Sequence, residues 1–180
     1  MNILITILLV LAGIIALVLI IGLFTKKEHY VKREIIINAP LQKVFDYAKL
    51  LKNEDEWNKN EKGDPNKKQE FKGTDGTVGF IIAFSGNKNV GVGEKEIMNI
   101  VEEKRIEIEM RFVKPLTFTA TLIMDTESLS DNQTKVSLSH DGILKYPKNI
   151  MILMFEKMFA KQMEISLTNL KNILENDNRQ

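Results

Sequence analysis

The hydrophobic residues of this chain are arranged in two ways: one apolar run near the N-terminus, interrupted only by Thr6, Gly13 and Gly22, and a longer region in which apolar and polar residues alternate. The run covers residues 3–24 and contains no charged side chain. As a helix at about 1.5 Å per residue it is roughly 33 Å long, enough to cross the hydrocarbon core of a bilayer. We therefore predict a transmembrane anchor over residues 1–25, with residues 3–24 in the membrane.

A cleaved signal peptide is the main alternative for this run. Signal peptides begin with basic residues, have an apolar stretch of roughly 7–15 residues and end at a small-residue cleavage site. Here Met1-Asn2 has no charged side chain, the apolar run is longer, and Phe24-Thr25-Lys26-Lys27-Glu28 provides no such site. A retained anchor is the better interpretation.

The charges around the anchor predict its orientation. None of the residues before the run is basic, whereas four basic residues follow it closely: Lys26, Lys27, Lys32 and Arg33. Because the excess of Lys and Arg lies on the cytoplasmic side of single spans, we predict a single-pass protein of the cell membrane with its soluble domain in the cytoplasm. The absence of cysteine is consistent with that reducing compartment.

The rest of the chain shows the two periodicities of regular structure. Residues 105–112 and 116–125 alternate as strands do, and residues 41–52 repeat their apolar positions at helical spacing after Ala39-Pro40. Asp75-Gly76 is a typical hairpin turn. The predicted elements are strands at 30–38, 67–72, 77–84, 90–101, 105–112, 116–125 and 134–144, and helices at 41–52 and 148–176.

This order predicts an α+β fold with one domain over residues 30–176, joined to the anchor by a short linker at 26–29 and followed by a tail at 177–180. An antiparallel sheet with one apolar face needs a cover, and the last helix is the only soluble element long enough to provide it. We therefore expect a curved antiparallel sheet of about six to seven strands wrapped on a long C-terminal helix.

Several short segments resemble one superfamily. Ile35-Ile36-Ile37-Asn38-Ala39-Pro40, followed by Val44-Phe45-Asp46-Tyr47, is similar to the opening motif of the SRPBCC superfamily, the START-like or helix-grip (Bet v1-like) proteins. Further segments resemble its bacterial polyketide cyclase/dehydrase-like branch: Trp57, Asp64-Pro65-Asn66, Gly73–Gly79, Gly91-Val92-Gly93-Glu94, Phe112-Val113-Lys114-Pro115 and Leu167-Thr168-Asn169-Leu170-Lys171. The resemblance implies a hydrophobic ligand held between the sheet and the last helix.

The residues expected to line that space follow from strand alternation and helical spacing. For each of them, ordinary core packing is the alternative, although flexible methionines suit a surface that accepts variable apolar shapes. The predicted ligand-binding residues are Trp57, Phe80, Phe84, Met110, Phe118, Leu122, Leu138, His140, Met151, Met154, Phe155 and Met158. Trp57 either closes one mouth of the cavity or caps the first helix at the surface.

His140 is the one candidate for chemistry. Strand alternation places it on the apolar face, where an imidazole needs a hydrogen-bonding partner. It is predicted to bind a ligand head group, to act as an acid or base, or to be a structural histidine bonded to a backbone carbonyl; with a bulge near Gly142 it faces solvent instead. On the predicted strand 90–101, Glu94 and Glu96 point the same way and as a carboxylate pair are candidates for acid/base work or cation binding. The preferred interpretation takes the Ile97 face as the inner one, which places both carboxylates on the outer face. His29 and His140 are far apart in the sequence and cysteine is absent, so we predict no metal site and no cofactor.

Two functions remain open. The first is a membrane-anchored module that binds a lipid-like or other hydrophobic small molecule. The second is a cyclase/dehydrase-type enzyme that acts on a polyketide-like substrate in the same cavity. A single polar candidate, His140, favours binding, because catalysis needs an acid, a base and a place for developing charge. A net charge of +1 gives no reason to expect nucleic acid as a partner, and the oligomeric state is left open.

Overall fold

The computed structural model describes residues 2–88 and 90–176, without the side chain of Leu153. The predicted tail at 177–180 lies outside the described residues. The helices are α1 (Ile3–Phe24), α2 (Leu41–Ala48), α3 (Glu54–Trp57) and α4 (Ile152–Asn176), with 3-10 turns at Leu51–Asn53, Glu61–Gly63 and Lys148–Met151. The strands are β1 (Glu28–Ile37), β2 (Lys68–Lys72), β3 (Ile81–Ser85), β4 (Val92–Val101), β5 (Arg105–Lys114), β6 (Phe118–Ser130) and β7 (Gln133–Ile143).

The seven strands form one antiparallel sheet in the order β1-β7-β6-β5-β4-β3-β2. The chain enters at one edge, crosses through α2 and α3 to the opposite edge, and returns strand by strand until β7 pairs with β1. α4 then packs across the inner face of the sheet, closest to β1. The predicted fold class and strand count are therefore confirmed.

The core lies between the inner face of the sheet and one stripe of α4. Its centre is fully buried and is made of Ile37, Ile97, Ile106 and Val136 from the sheet and Leu167, Leu170 and Leu174 from the helix. Each such side chain stabilises the fold by about 1.5–3 kcal/mol relative to an exposed one. The apolar residues that alternate along the predicted strands are thus the ones that the sheet buries on its inner face.

The β2–β3 connection differs from the predicted tight hairpin. Lys72 pairs with Ile81, so the loop covers residues 73–80 rather than four residues. The carboxylate of Asp75 accepts hydrogen bonds from the backbone N–H groups of Leu51 (2.8 Å) and Lys52 (3.2 Å). Asp75 therefore holds the turn after α2, which ends at Ala48 and not at residue 52.

The apolar N-terminal segment is a single continuous helix. α1 is long and apolar enough to span a membrane, and Gly22 is its only buried residue among those described. β1 begins at Glu28, only four residues after α1 ends and two residues before the predicted strand. The folded domain therefore starts almost directly at the end of the apolar helix.

Candidate functional site

The interface between sheet and helix is tight at one end and looser at the other. Along the inner face of β5, Ile106 and Ile108 are buried, whereas Met110 and Phe112 are only half-buried. Along α4, the residues from Ala160 onward that face the sheet are buried, whereas Phe155 and Phe159 are half-buried.

Both trends lead to the same end of the domain. On the helix side, Phe159 stacks on His140 of β7, which lies opposite Leu122 of β6. On the sheet side, Phe112 pairs with Phe118 at the start of the same strand β6. Each side of this region has its own aromatic pair: Phe112 and Phe118 stack on the sheet at 4.6 Å, and Phe155 and Phe159 contact each other on α4 at 5.7 Å between centroids. We call this region, lined by Met110, Phe112, Phe118, Phe155 and Phe159, the open end of the sheet–helix interface.

A pair of buried histidines lies at the inner wall of the open end. His29 Nε2 and His140 Nδ1 are 2.9 Å apart, and both rings stack against Phe159. The β1–β7 register brings them together, since His29 lies opposite Gly142 and Val31 lies opposite His140. Gly142 is required here, because a Cβ atom at this position would come within 2.7 Å of the His29 ring.

His140 is buried as strand alternation predicts, and the alternative in which it faces solvent is wrong. Its partner differs from the predicted backbone carbonyl. It is His29, which is 111 positions away in the sequence and was considered there only as a possible metal ligand. Among the described residues, no three side chains of metal-binding type converge.

The electrostatics keep both rings neutral. Burial lowers the pKa of His140 to about 4, and burial also lowers the pKa of His29. A neutral imidazole has one donor and one acceptor nitrogen, and the two rings share one hydrogen bond. His29 Nδ1 is buried and forms no hydrogen bond of good geometry among the described residues, although the backbone of Gly142 lies close enough to offset part of the lowering of the His29 pKa. The pair therefore keeps unused hydrogen-bonding capacity inside an apolar wall, where polar groups are normally satisfied.

Trp57 lies in the core and not at the surface. It is fully buried on α3, and its carbonyl accepts a hydrogen bond from Asn169 of α4 at 3.0 Å. The predicted surface cap is therefore wrong. Its indole N–H is buried with no partner within the described part of the chain, as is Oε1 of Gln162 on α4.

The other predicted ligand-binding residues fall into two groups. The inward or half-inward ones are Phe80, Phe84, Met110, Phe118, Leu122, Leu138, Met151 and Phe155. Met154 and Met158 differ from the expectation, because they are 61 % and 39 % exposed. Phe155, Phe159 and Met163 form the stripe that faces the sheet, and Met154 and Met158 precede members of that stripe by one residue, which turns them outward.

A buried ionic cluster was missed by the sequence analysis. Glu94 and Glu96 lie on the outer face, as expected, and both form ion pairs with Arg111. Alternation then turns Lys95 inward, where it is 2 % exposed and contacts Glu54 at 2.5 Å and Glu61 at 2.9 Å. Burial by itself lowers the pKa of Lys95, but the two carboxylates outweigh this effect and raise it above its usual value.

The signal for this cluster was present in the sequence. A lysine at an inward strand position needs a buried counter-charge, and the acidic segment after α2 supplies two. Lys67 also binds Glu61 at 2.5 Å, so the segment from α3 to β2 is held over the sheet by internal ion pairs. Because every charge of the cluster has a partner, we assign it a structural role.

Comparison with solved structures identifies the fold. The sequence matches no family model and no curated protein. Norcoclaurine synthase from Thalictrum flavum, in complex with dopamine and hydroxybenzaldehyde, is similar over 87% of this chain and 92% of its own (TM-score 0.65, 12% identity).

Two further structures are similar in the same way. The Zhui aromatase/cyclase from Streptomyces sp. R1128 covers 82% of this chain and 94% of its own (TM-score 0.60, 10% identity). Ara h 8.0201 is similar over 83% of this chain and 99% of its own (TM-score 0.57, 13% identity). At identities this low, the similarity shows a shared fold and leaves activity to be argued from the site. The chain thus has the helix-grip fold, as its resemblance to the SRPBCC superfamily predicts.

Proposed function

We propose that this protein is a membrane-anchored module that binds a lipid-like or other hydrophobic small molecule at the open end of the sheet–helix interface. The observation that carries the proposal is the His29–His140 pair, which is buried in an aromatic wall and retains unused hydrogen-bonding capacity. Ligand sites are mostly apolar with a few polar groups that fix orientation, and this arrangement has that form.

The half-buried lining supports the same function. Met110 on the sheet, Phe155 and Phe159 on the helix, and the stacked Phe112 and Phe118 offer apolar and aromatic contacts to a ligand. The structure of norcoclaurine synthase on this fold contains dopamine and hydroxybenzaldehyde, two small aromatic molecules. We infer a ligand with an apolar body and one polar group that hydrogen-bonds the histidine pair.

Binding is favoured over the cyclase/dehydrase alternative by the protonation state of the pair. A general base works best when its pKa is near the operating pH, and the pKa of His140 is about 4. A neutral imidazole of such low basicity suits hydrogen bonding to a ligand better than proton abstraction. The polyketide cyclase/dehydrase-like branch therefore remains a prediction from the sequence.

The N-terminal helix determines where in the cell the domain would encounter its ligand. We propose that α1 crosses the membrane and, from the basic residues that follow it, that the domain lies on the cytoplasmic side. Glu28 begins β1 directly after a three-residue connection, so the domain is confined to the membrane surface. A ligand that dissolves in a bilayer would be available there at high local concentration.

A matched pair of methionine substitutions tests the proposal. Met110→Lys places a charge at the open end and is expected to lower ligand occupancy by about tenfold or more, since tenfold corresponds to only about 1.4 kcal/mol. Met98→Lys places the same charge on the exposed face of β4 and is expected to retain the ligand. The measurement is native mass spectrometry of the full chain, activated until detergent and loosely bound lipid leave, followed by solvent extraction.

Both variants carry the same α1 and bind the same lipids around it, so a difference in occupancy between the variants reports binding to the folded domain. Fluorescence of Trp57, the single tryptophan, verifies that each variant is folded. Equal occupancy in the two variants, or folded wild-type protein with no bound mass after incubation with membrane lipid extract, would contradict the proposal.

A further inference from the structure

The anchor is held by the domain through specific contacts at the end of α1. Asn149, which follows β7 and precedes α4, is fully buried and donates hydrogen bonds from Nδ2 to the carbonyl oxygens of Gly22 (2.7 Å) and Thr25 (2.8 Å). The last carbonyls of a helix have no partners within the helix. Asn149 therefore caps α1 and fixes the start of α4 to the exit of the apolar helix.

A second contact strengthens this attachment. Tyr146 packs against Gly22, where an added Cβ would come within 3.2 Å of the tyrosine ring. Lys26 and Glu156 form an ion pair at 2.6 Å between the connection and the N-terminal part of α4. With α1 in a membrane, Tyr146 then lies at the depth of the headgroups, where tyrosine and tryptophan side chains are enriched.

The surface around this attachment combines exposed apolar and basic side chains. Ile143, Tyr146 and Met154 are exposed, although all are large hydrophobic residues. Lys145 and Lys148, together with one acidic residue, Asp141, line a groove of about 620 Å³ between the start of β6, the end of β7 and the turn that follows it. Neither lysine forms an ion pair within the described part of the chain. We call Ile143, Lys145, Tyr146, Lys148 and Met154 the docking face.

The docking face lies at the same end of the domain as the open end. Gly142, next to Ile143, pairs with Ala120 of β6, close to Phe118. Met154 is adjacent in α4 to Phe155, which lines the open end. The surface fixed to the anchor and the looser part of the sheet–helix interface are therefore neighbours.

We infer that the docking face rests in the headgroup layer of an anionic leaflet, so that the open end faces the bilayer and the hydrophobic ligand enters directly from it. This inference rests on the proposed placement of α1 in a membrane. Basic residues near an anionic surface are attracted to it, and the exposed apolar side chains gain by partial burial among the lipids. An anionic leaflet matches the face in charge, in hydrophobicity and in position.

Single-cysteine labelling of the full chain tests the inference, because the protein contains no cysteine. Nitroxide labels are placed by Met154→Cys and Ile143→Cys on the docking face. The controls are Leu129→Cys and Val101→Cys, exposed apolar positions (45 % and 43 %) at the opposite end of the sheet. The chains are reconstituted in nanodiscs of phosphatidylcholine with phosphatidylglycerol, and collision rates with oxygen and with a water-soluble nickel chelate are compared.

The expected result is a several-fold higher ratio of oxygen to nickel collisions at Met154→Cys and Ile143→Cys than at the two control positions. The double change Lys145→Glu with Lys148→Glu is expected to lower that ratio, whereas Lys104→Glu at the far end is expected to leave it unchanged. Collision ratios at the docking face equal to those at the control positions would overturn the inference. Docking-face ratios that are the same in purely phosphatidylcholine nanodiscs as in nanodiscs with phosphatidylglycerol would overturn the part of the inference that requires an anionic leaflet.

The labelling experiment requires no ligand, so it fails independently of the proposed function. A docking face in the headgroup layer, combined with the absence of any bound molecule, would contradict ligand binding and retain the docking. A bound molecule, combined with water-exposed labels at positions 143 and 154, would contradict the docking and retain the ligand.

Discussion

Replacing Lys95 by methionine is expected to lower the free energy of unfolding by about 3–5 kcal/mol, the range found when one partner of a buried ion pair is removed. The ammonium group of Lys95 is 2 % exposed and holds both Glu54 and Glu61. Without it, Glu54 remains as a fully buried carboxylate with no counter-charge. The loss is measured by urea unfolding of the full chain in detergent, followed by the fluorescence of Trp57 on the same helix as Glu54.

The matched control is Lys135→Met, which removes a lysine from the exposed ion pair with Glu127 on the same sheet. Exposed pairs contribute about 0–1 kcal/mol, so this variant is expected to unfold almost as the wild type does. Adding Glu54→Gln and Glu61→Gln to Lys95→Met is expected to restore part of the lost stability. If Lys95→Met and Lys135→Met were equally stable, the cluster would not contribute to folding as proposed.

Acidification is expected to destabilise the domain through the histidine pair. Above pH 6.5 the imidazole of His140 is neutral in both states and contributes nothing. Between pH 6.5 and about 4 the unfolded chain takes up a proton that folded His140 refuses, because its pKa is about 4. Stability therefore falls as the pH falls, by about 1.4 kcal/mol per unit and about 3 kcal/mol in total for this group.

Burial lowers the pKa of His29 as well, so its contribution has the same sign. The measurement is the free energy of unfolding of the full chain between pH 7 and pH 4, compared with that of His140→Gln. Acidic side chains contribute equally to both proteins, and the difference in slope isolates the histidine. Parallel curves for the two proteins would show that His140 titrates normally and that the pair is not buried as described.

Much of this architecture was predictable because it depends on local pattern. The apolar run of α1, the alternation along β5 and β6 and the helical spacing of α4 are set by short-range periodicity, which must match the face that is buried. The α+β class, the seven strands and the inward position of His140 followed from it. The resemblance of Ile35–Pro40 and the later segments then specified the helix-grip arrangement.

The errors came from residues whose role depends on distant partners. Asp75-Gly76 has the composition of a tight turn, but the Asp75 carboxylate binds the backbone after α2 and opens the loop. Met154 lies in the apolar run 150–155 and Met158 is followed directly by Phe159 and Ala160, so composition alone does not select the inward stripe. The packing of Phe155, Phe159 and Met163 against the sheet selects it.

The local sequence pattern alone determined the apolar N-terminal helix, the faces of the strands and the order of the elements, since these depend on residues that are close together in the chain. Only the tertiary structure decided which side chains meet. His29 and His140 pair across 111 positions, Lys95 meets Glu54 across 41, and Asn149 meets Gly22 across 127. Alternation states which face a residue occupies, but the strand register and the packing of α4 choose its partner. The chemistry of the candidate site resides in those long-range partners.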